Sequence, residues 1–517
     1  MNALLRTAAA ALDGLLAAGA ALGVAELTAA AVRRESSPIV AVGSAVIDVT
    51  PAGVKDWAIR QFGSNDKLVL QLGVLLVLAL FAIALGIAAL RVRRSAAAGV
   101  LAFGVIGALA ATSRPDGSAT DAVPSIAGAL VGAGVLYGLT GALRTATDGS
   151  QDERTGVGRR RFLLGAAAVA AGSAAAGVIG RVLNTASGDA AASRAAVRLP
   201  APVSKAAPVP KGTDLKIEGL SRFTTAAKDF YRVDTALVVP QVDARDWSLR
   251  LHGDGVKTPI EIDFDQLLAR GLIERDITLN CVSSEVGGPY IGNARWLGVP
   301  LAELLRDAGV RPPSRGGPAD QLVARSTDGM TIGTPVETVM DGRDAMLAVA
   351  MNGEPLTFVH GFPVRMLVPG LYGYVSACKW LTELELTTFD AYDTYWTKRD
   401  WSARAPVKTQ SRIDTPKPFA KLKPGRIAVA GVAWAQHRGI DQVEVRLDDG
   451  PWQKARLAAE DSRDTWRQWV WEWDATPGSH TLTVRATDRT GATQTARRAP
   501  TRPDGATGRH SVVVNVT

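Results

Sequence analysis

TLNCVSSEVGGPYIGNARW, residues 278–296, sets one of the chain's two cysteines between a short β-like run and a glycine-rich loop. Cys281 is the residue this stretch asks to have explained. A thiol is soft and ionises when a metal binds it, so a single cysteine at a strand end beside a flexible loop suits a transition-metal ligand. A small buried hydrophobe, or a disulfide to Cys378, is the competing reading of that cysteine taken alone.

Further on, HGFPVRMLVPGLYGYVSACKW, residues 360–380, carries His360, Arg365 and Lys379 in an apolar run broken by Pro and Gly. Cations in such loops suit a phosphate: Arg offers a planar fork, Lys a point charge, and Gly lets backbone N–H groups come close. Together the two segments resemble the sulfite oxidase family of molybdopterin enzymes. In that family a Cys thiolate ligates molybdenum, and an HGxPxR segment followed by a Lys-Trp pair holds the pterin phosphate.

The resemblance implies that Cys281 is the metal ligand and a catalytic residue, and that His360, Arg365 and Lys379 bind a molybdenum-molybdopterin cofactor. It runs from about Leu215 to the C-terminus, and FYRVDTALVVPQVDARDWSLRLHG, residues 230–253, looks like the family's entry segment. By that likeness Tyr231 and Arg232 reach the cofactor, and Arg232 also neutralises the substrate. Thr327, in ARSTDGM, is carried over as a hydroxyl to the pterin, and YWTKRDW, residues 395–401, sits where the family closes its substrate pocket. Two positions depart from the sulfite-oxidising pattern. Asp234 stands where such members have a His, and they place a Tyr near Trp401. A carboxylate in the pocket repels an anion; as a loop carboxylate, Asp234 is equally well read as the partner of Arg232.

The apolar excess of the chain is N-terminal. Segments 68–90, 95–112, 123–143 and 162–180 are each long enough, at ~18 to 23 residues, to cross a hydrocarbon layer of ~30 Å as a helix. Residues 4–32 are a fifth candidate, interrupted by Asp13 and Glu26, which are read as drawn to the membrane interfaces. Arg91, Arg93 and Arg94 follow the second span, and Arg144, Arg154, Arg159, Arg160 and Arg161 lie between the fourth and fifth. Basic short loops stay inside, which puts everything after about Arg181 outside the cell membrane, although Arg33 and Arg34 count against this. GRRRFLLGAAAVAAGSAAAG, residues 158–177, resembles a twin-arginine export signal retained as an anchor.

Residues 1–182 are therefore read as an all-α transmembrane region of about five helices, and 183–214, rich in Ala, Ser and Pro, as an extended extracytoplasmic tether. Residues 215–404 mix short strands with helical runs such as 301–308, an α+β pattern expected to be the sulfite-oxidase-like molybdopterin-binding domain. From 405 to 517 the alternation in VEVRLDDGPW (443–452) and HTLTVRATDRTG (480–491) predicts a β-sandwich. Trp434, Trp452, Trp466, Trp469, Trp471 and Trp473 are assigned to its packing. The family holds an immunoglobulin-like dimerisation domain in this position, which implies a homodimer.

The net charge of +8 comes largely from membrane-flanking and linker residues, and no nucleic-acid motif accompanies it. None of the five histidines lies in a span, and two distant cysteines make no CxxCH haem or four-cysteine iron–sulfur site. Electrons must then pass to a separate carrier or redox subunit. The resemblance implies two-electron oxygen-atom transfer between a Cys-ligated molybdenum centre and a small-molecule substrate. A sulfoxide or N-oxide reductase using the same site, repairing oxidised methionine, is one alternative; a non-catalytic anchored scaffold is another.

Overall fold

The β-rich part of the chain is ordered by strands that alternate core and surface residues, and the N-terminal part by helices built from Ala, Gly and Leu. The computed structural model describes residues 3–517 except 52, 55–56, 58–60, 63–65, 115–116, 148–156 and 186–187. Two compact units result: residues 1–189 with 236–239, and residues 190–235 with 240–517.

The first unit contains helices α1 (Ala3–Val32), α2 (Pro38–Val49), α3 (Asp66–Ala89), α4 (Arg93–Thr112), α5 (Val123–Thr147) and α6 (Val157–Thr185). Four stretches among the described residues, Ala3–Val32, Leu68–Ala89, Arg93–Thr112 and Ala119–Arg144, are long and apolar enough to cross a membrane. The fifth expected span falls in α6, whose apolar run Leu164–Ile179 is shorter, as is the unanticipated apolar helix α2. Arg154 and the side chains of Arg159, Arg160 and Arg161 lie outside the described residues.

Small residues set the helix crossings. A Cβ on Gly14 would lie 2.0 Å from the Ala82 carbonyl oxygen and one on Gly86 2.1 Å from that of Ala10, so α1 and α3 meet backbone to backbone. Leu72, Leu76 and Leu80 point outward instead. Small residues inside and large apolar ones outside are what a lipid-facing bundle requires. Asp13 is fully buried among the helices, with both carboxylate oxygens lacking a partner among the described residues. Its place on α1, beside Gly14 at the α1–α3 crossing, carries it inward.

The second unit begins within α7 (Gly188–Ala196) and then contradicts the tether reading. Arg194 donates from Nε to the Leu356 carbonyl and from Nη2 to that of Pro355, both at 2.7 Å. Val203 N–H donates to Leu272 and Glu274 N–H to Ser204, each at 2.8 Å, which adds residues 203–204 to an exposed sheet edge. Composition identified a stretch with no core of its own; an edge strand supplies backbone partners that composition does not reveal.

Two sheets with flanking short helices form the α+β part. One sheet orders β2 (Ile260–Asp263), β1 (Ser248–Gly253), β10 (Leu381–Thr387), β5 (Gln321–Ser326) and β6 (Thr331–Pro335). The other orders β3 (Ile273–Asn280), β4 (Ile291–Pro300), β7 (Met346–Met351) and β8 (Glu354–Pro355), with β9 (Arg365–Leu367) also on β7. Every residue of β7, MLAVAM, is buried, as befits a strand covered on both faces. Trp296, Phe362 and the leucines of β1 fill the core between the sheets.

The C-terminal part is a two-sheet sandwich. β11 (Gln410–Thr415), β13 (Gly425–Trp434), β17 (Arg467–Ala475) and β16 (Arg456–Leu457) form one sheet. β12 (Lys421–Leu422), β19 (His510–Val516), β18 (Gly478–Asp488), β14 (Ile440–Leu447) and β15 (Trp452–Lys454) form the other. Val429, Val445, Trp469, Val484 and Val514 share the core between them. Trp471 and Trp473 are packed there too, whereas Trp434 and Trp466 join the larger α+β core.

Candidate cofactor site

Cys281 directly follows β3, and its N–H donates to the Tyr290 carbonyl at 2.9 Å, closing the glycine-rich loop back on itself. The thiol is buried and lies 2.9 Å from the Ser283 hydroxyl. Burial pushes its pKa up, while Ser283 and Lys379 pull the other way. Cys378 is also buried and free, so the disulfide reading falls.

The second segment brings its cations to the same place. His360 ends a short 3-10 turn, Phe358–His360, and accepts or donates through Nδ1 to the Thr357 hydroxyl at 2.7 Å. Gly361 follows with φ +103°, and a Cβ there would sit 2.9 Å from the Lys379 Cβ, so only glycine lets the two chains touch. Arg365 opens β9, is 6 % exposed, donates from Nη1 to the His360 carbonyl at 3.3 Å, and has its guanidinium 5.3 Å from the centre of the Trp296 ring. Burial lowers its pKa to about 10. His360 is brought to about 4 by burial and by Arg365, so its ring is neutral at pH 7.

Asp234 binds two of the expected cations at once. Its Oδ2 accepts from Arg232 Nε at 2.9 Å and from Lys379 Nζ at 2.6 Å. The Asp234 and Lys379 side chains are nearly buried, whereas Arg232 is exposed at the rim. Lys379 also donates to the Val359 carbonyl at 3.2 Å, and desolvation lowers its pKa to about 8 against the opposing pull of Asp234. The reading of Asp234 as the partner of Arg232 holds, and Lys379 extends it.

Tyr231 stacks on Phe230 with centroids 5.1 Å apart and meets Tyr290 edge-on at 6.4 Å. Burial raises the pKa of its phenol, with Cys281 adding to the rise and Arg365 opposing it. Thr327 instead turns its hydroxyl onto the Trp380 carbonyl at 3.0 Å, beside Lys379. Trp401 packs on Tyr374 at 5.6 Å, and that tyrosine donates to the Ser402 carbonyl at 2.6 Å.

Several contributors were not evident in the sequence. Asn280, immediately before Cys281, is buried with Oδ1 lacking a partner. A polar residue at the buried end of β3 is the signal that could have found it. The sandwich clasps the same strand: Trp466 N–H donates to the Thr278 hydroxyl at 2.8 Å and Gln436 Nε2 to the Thr278 carbonyl at 3.1 Å. Buried Arg412 donates to the Gly288 carbonyl at 2.8 Å, and Gly287, at φ +80°, lies so close to His510 that a Cβ would meet its ring at 2.2 Å.

Arg365 Nε, His360 Nε2 and Asn280 Oδ1 are buried without hydrogen-bond partners of good geometry among the described residues, although the Phe230 backbone lies near the imidazole. Buried polar atoms are normally satisfied, so a cluster of orphans around a thiol and cations is what a polar, anionic cofactor would complete. The donor set fits a phosphate-bearing group anchored by guanidinium and imidazole, with a soft ligand available to a metal. Such a site is compatible with the cofactor of a molybdopterin-type oxidoreductase.

Known proteins agree. Residues 236–396 match the family described as oxidoreductase molybdopterin binding domain. Sulfite oxidase of Drosophila melanogaster is 30% identical over 297 residues, covering 48% of this chain and 50% of its own. For the Gallus gallus enzyme the identity is also 30% over 297 residues, covering 49% of this chain and 63% of the relative. The chain thus spans about half to two thirds of the length of these relatives. The sulfane dehydrogenase SoxCD of Paracoccus pantotrophus shares the fold, with a TM-score of 0.50, 24% identity, and coverage of 57% of this chain and 84% of that one. Residues 236–396 are thus a molybdopterin-binding oxidoreductase domain similar to that of the sulfite oxidases, and the cofactor is molybdenum-molybdopterin.

Proposed function

We propose that the protein is a membrane-anchored, extracytoplasmic enzyme that carries out oxygen-atom transfer on a small molecule, with Cys281 as the metal ligand. The observation that carries this reading is the convergence of the Cys281 thiol with Arg365, His360, Lys379 and Arg232 around buried polar atoms that lack partners. When bound, the cofactor supplies two-electron oxygen-atom transfer chemistry; the protein supplies position and electrostatics. Arg365 and the neutral His360 hold the pterin phosphate, and Lys379 steadies that end of the site through its contacts to Val359 and Asp234. Tyr231, held by Phe230 and Tyr290, contacts the cofactor. Arg232, at the rim, meets the substrate.

Asp234 favours the second reading within the same chemistry. It already satisfies Arg232 and Lys379, so an anion entering there must compete with a fixed carboxylate for both cations. A neutral dipolar substrate, a sulfoxide or N-oxide, does not. The non-catalytic scaffold reading has no observation in its favour. Assaying the purified holoenzyme with sulfite and with a methyl sulfoxide decides between the two directions. We expect Asp234→His to lower the KM for sulfite several-fold while leaving the sulfoxide KM nearly unchanged; equal changes for both would contradict this role of Asp234.

The anchoring reading takes support from the helices. Arg144 donates to the Ala89 carbonyl at 3.0 Å, and Arg93 lies 4.0 Å over the Tyr137 ring, so these arginines gather at one end of the bundle. Arg33, which counts against the orientation, is paired with Asp121 at 2.5 Å. With that end inside, a fifth span through α6 and a twin-arginine route place the catalytic part outside. A separate electron carrier, an immunoglobulin-like topology for the sandwich and a homodimer complete the proposal.

A further inference from the structure

The outer face of the C-terminal sandwich gathers positive charge that the molecule does not balance. Arg446 on β14, Arg485 on β18 and Arg509 just before β19 all lie over one indole, that of Trp452 on β15. Their guanidinium carbons are 5.1, 4.2 and 5.0 Å from its ring centre. Strand register produces the gathering: Arg446 pairs with Trp452 and Thr483, Glu444 with Arg485 and Lys454, and Val484 with His510, which brings Arg509 alongside Arg485. Alternation sends Val443, Val445, Leu482, Val484, Val512 and Val514 into the core, so the intervening positions face outward together.

Three cations drawn to one ring are held in one small region of the sheet face. Glu444 is the single carboxylate among them, accepting from Arg485 Nε at 2.7 Å. The side chains of Arg446 and Arg509 make no hydrogen bond or ion pair among the described residues, and the Nε of each is buried. Three guanidinium groups against one carboxylate leave an excess of two positive charges, to which Lys454 adds. Burial first, and Arg485 and Arg446 after it, hold the Arg509 pKa below the usual guanidinium range.

We propose that Arg446, Arg485 and Arg509 form a binding site for a small tetrahedral dianion of the sulfate or phosphate class. Two negative charges match the excess, and oxygens disposed in three dimensions can accept from guanidinium forks arriving from three strands, which a planar monovalent carboxylate cannot. The site contains none of the residues of the cofactor site and does not depend on the oxygen-transfer reading.

The test uses the full-length holoenzyme in a phosphate-free detergent. Sodium sulfate and sodium phosphate are titrated calorimetrically against sodium chloride at matched ionic strength, for the wild type, Arg446→Gln and Arg509→Gln. The expected result is saturable one-to-one binding of sulfate or phosphate to the wild type, weakened at least tenfold in either variant. Thermal unfolding adds a sign that a merely structural cluster would not give: in chloride each variant should melt at or above the wild type, and in sulfate below it. Binding no stronger than chloride, or unaffected by both substitutions, would overturn the proposal, as would variants that melt lower in every salt.

Discussion

The thiol side and the cationic side of the cofactor site are held by different parts of the molecule. Arg365 and His360 sit within one short segment, and Lys379 is held against it by the Val359 carbonyl and the close approach at Gly361. The Cys281 side depends on residues far away in sequence: Gln436 and Trp466 grip Thr278, and Arg412 and His510 press on Gly287 and Gly288. On the proposed reading, local contacts would fix where the pterin is anchored, and long-range contacts where the metal is presented. The lesson is that the sandwich holds the strand end and loop that carry Cys281, whatever else it does.

If that division is right, the two sides should fail differently. The largest effect is expected from Cys281→Ser, which should abolish turnover while leaving pterin bound, because the cationic side is intact; an active variant would erase the distinction. Arg365→Ala should do the reverse and strip pterin from the protein. Losing charge-assisted hydrogen bonds of about 1.5–3 kcal/mol corresponds to a drop in affinity of roughly tenfold or more, readable by fluorescence of the released pterin.

Gly287→Ala probes the clasp itself. The added methyl must displace the His510 ring at a backbone conformation that alanine tolerates poorly, so a loss of about 1–3 kcal/mol is expected in denaturant unfolding, together with reduced metal occupancy. Unchanged metal content in a folded, destabilised variant would confine the clasp to stability alone. The smallest effect concerns pH. Burial and Arg412 lower the His510 pKa from 6.5 to about 4, so the unfolded chain takes up that proton before the folded one. Its contribution to stability is therefore complete above about pH 6.5 and is lost as the pH falls toward 4. His360 shifts in the same direction, so the comparison is wild type against His510→Gln at pH 7.5 and pH 5. The variant should show the shallower decline.

Much of the cationic side was legible because its residues lie close together in sequence and their types state their chemistry. Cys281 stood out for the same reason, by its isolation. The clasp was not legible: nothing near Arg412 or His510 in the chain announces a contact with a loop more than a hundred residues earlier, and such contacts exist only once both sheets are built. Asp234 could be seen as a departure from the family pattern, but not that one oxygen would hold both Arg232 and Lys379. The supposed tether misled because low apolar content was read as freedom, when an open strand edge was available to pair with it.

Molybdenum and pterin content of the wild-type protein purified from its membrane, set beside Cys281→Ser, tests the central claim most directly. The account predicts near-stoichiometric molybdenum and pterin in the wild type and, in the variant, retained pterin without turnover. Folded wild-type protein that holds neither, from cells able to make the cofactor, would contradict it.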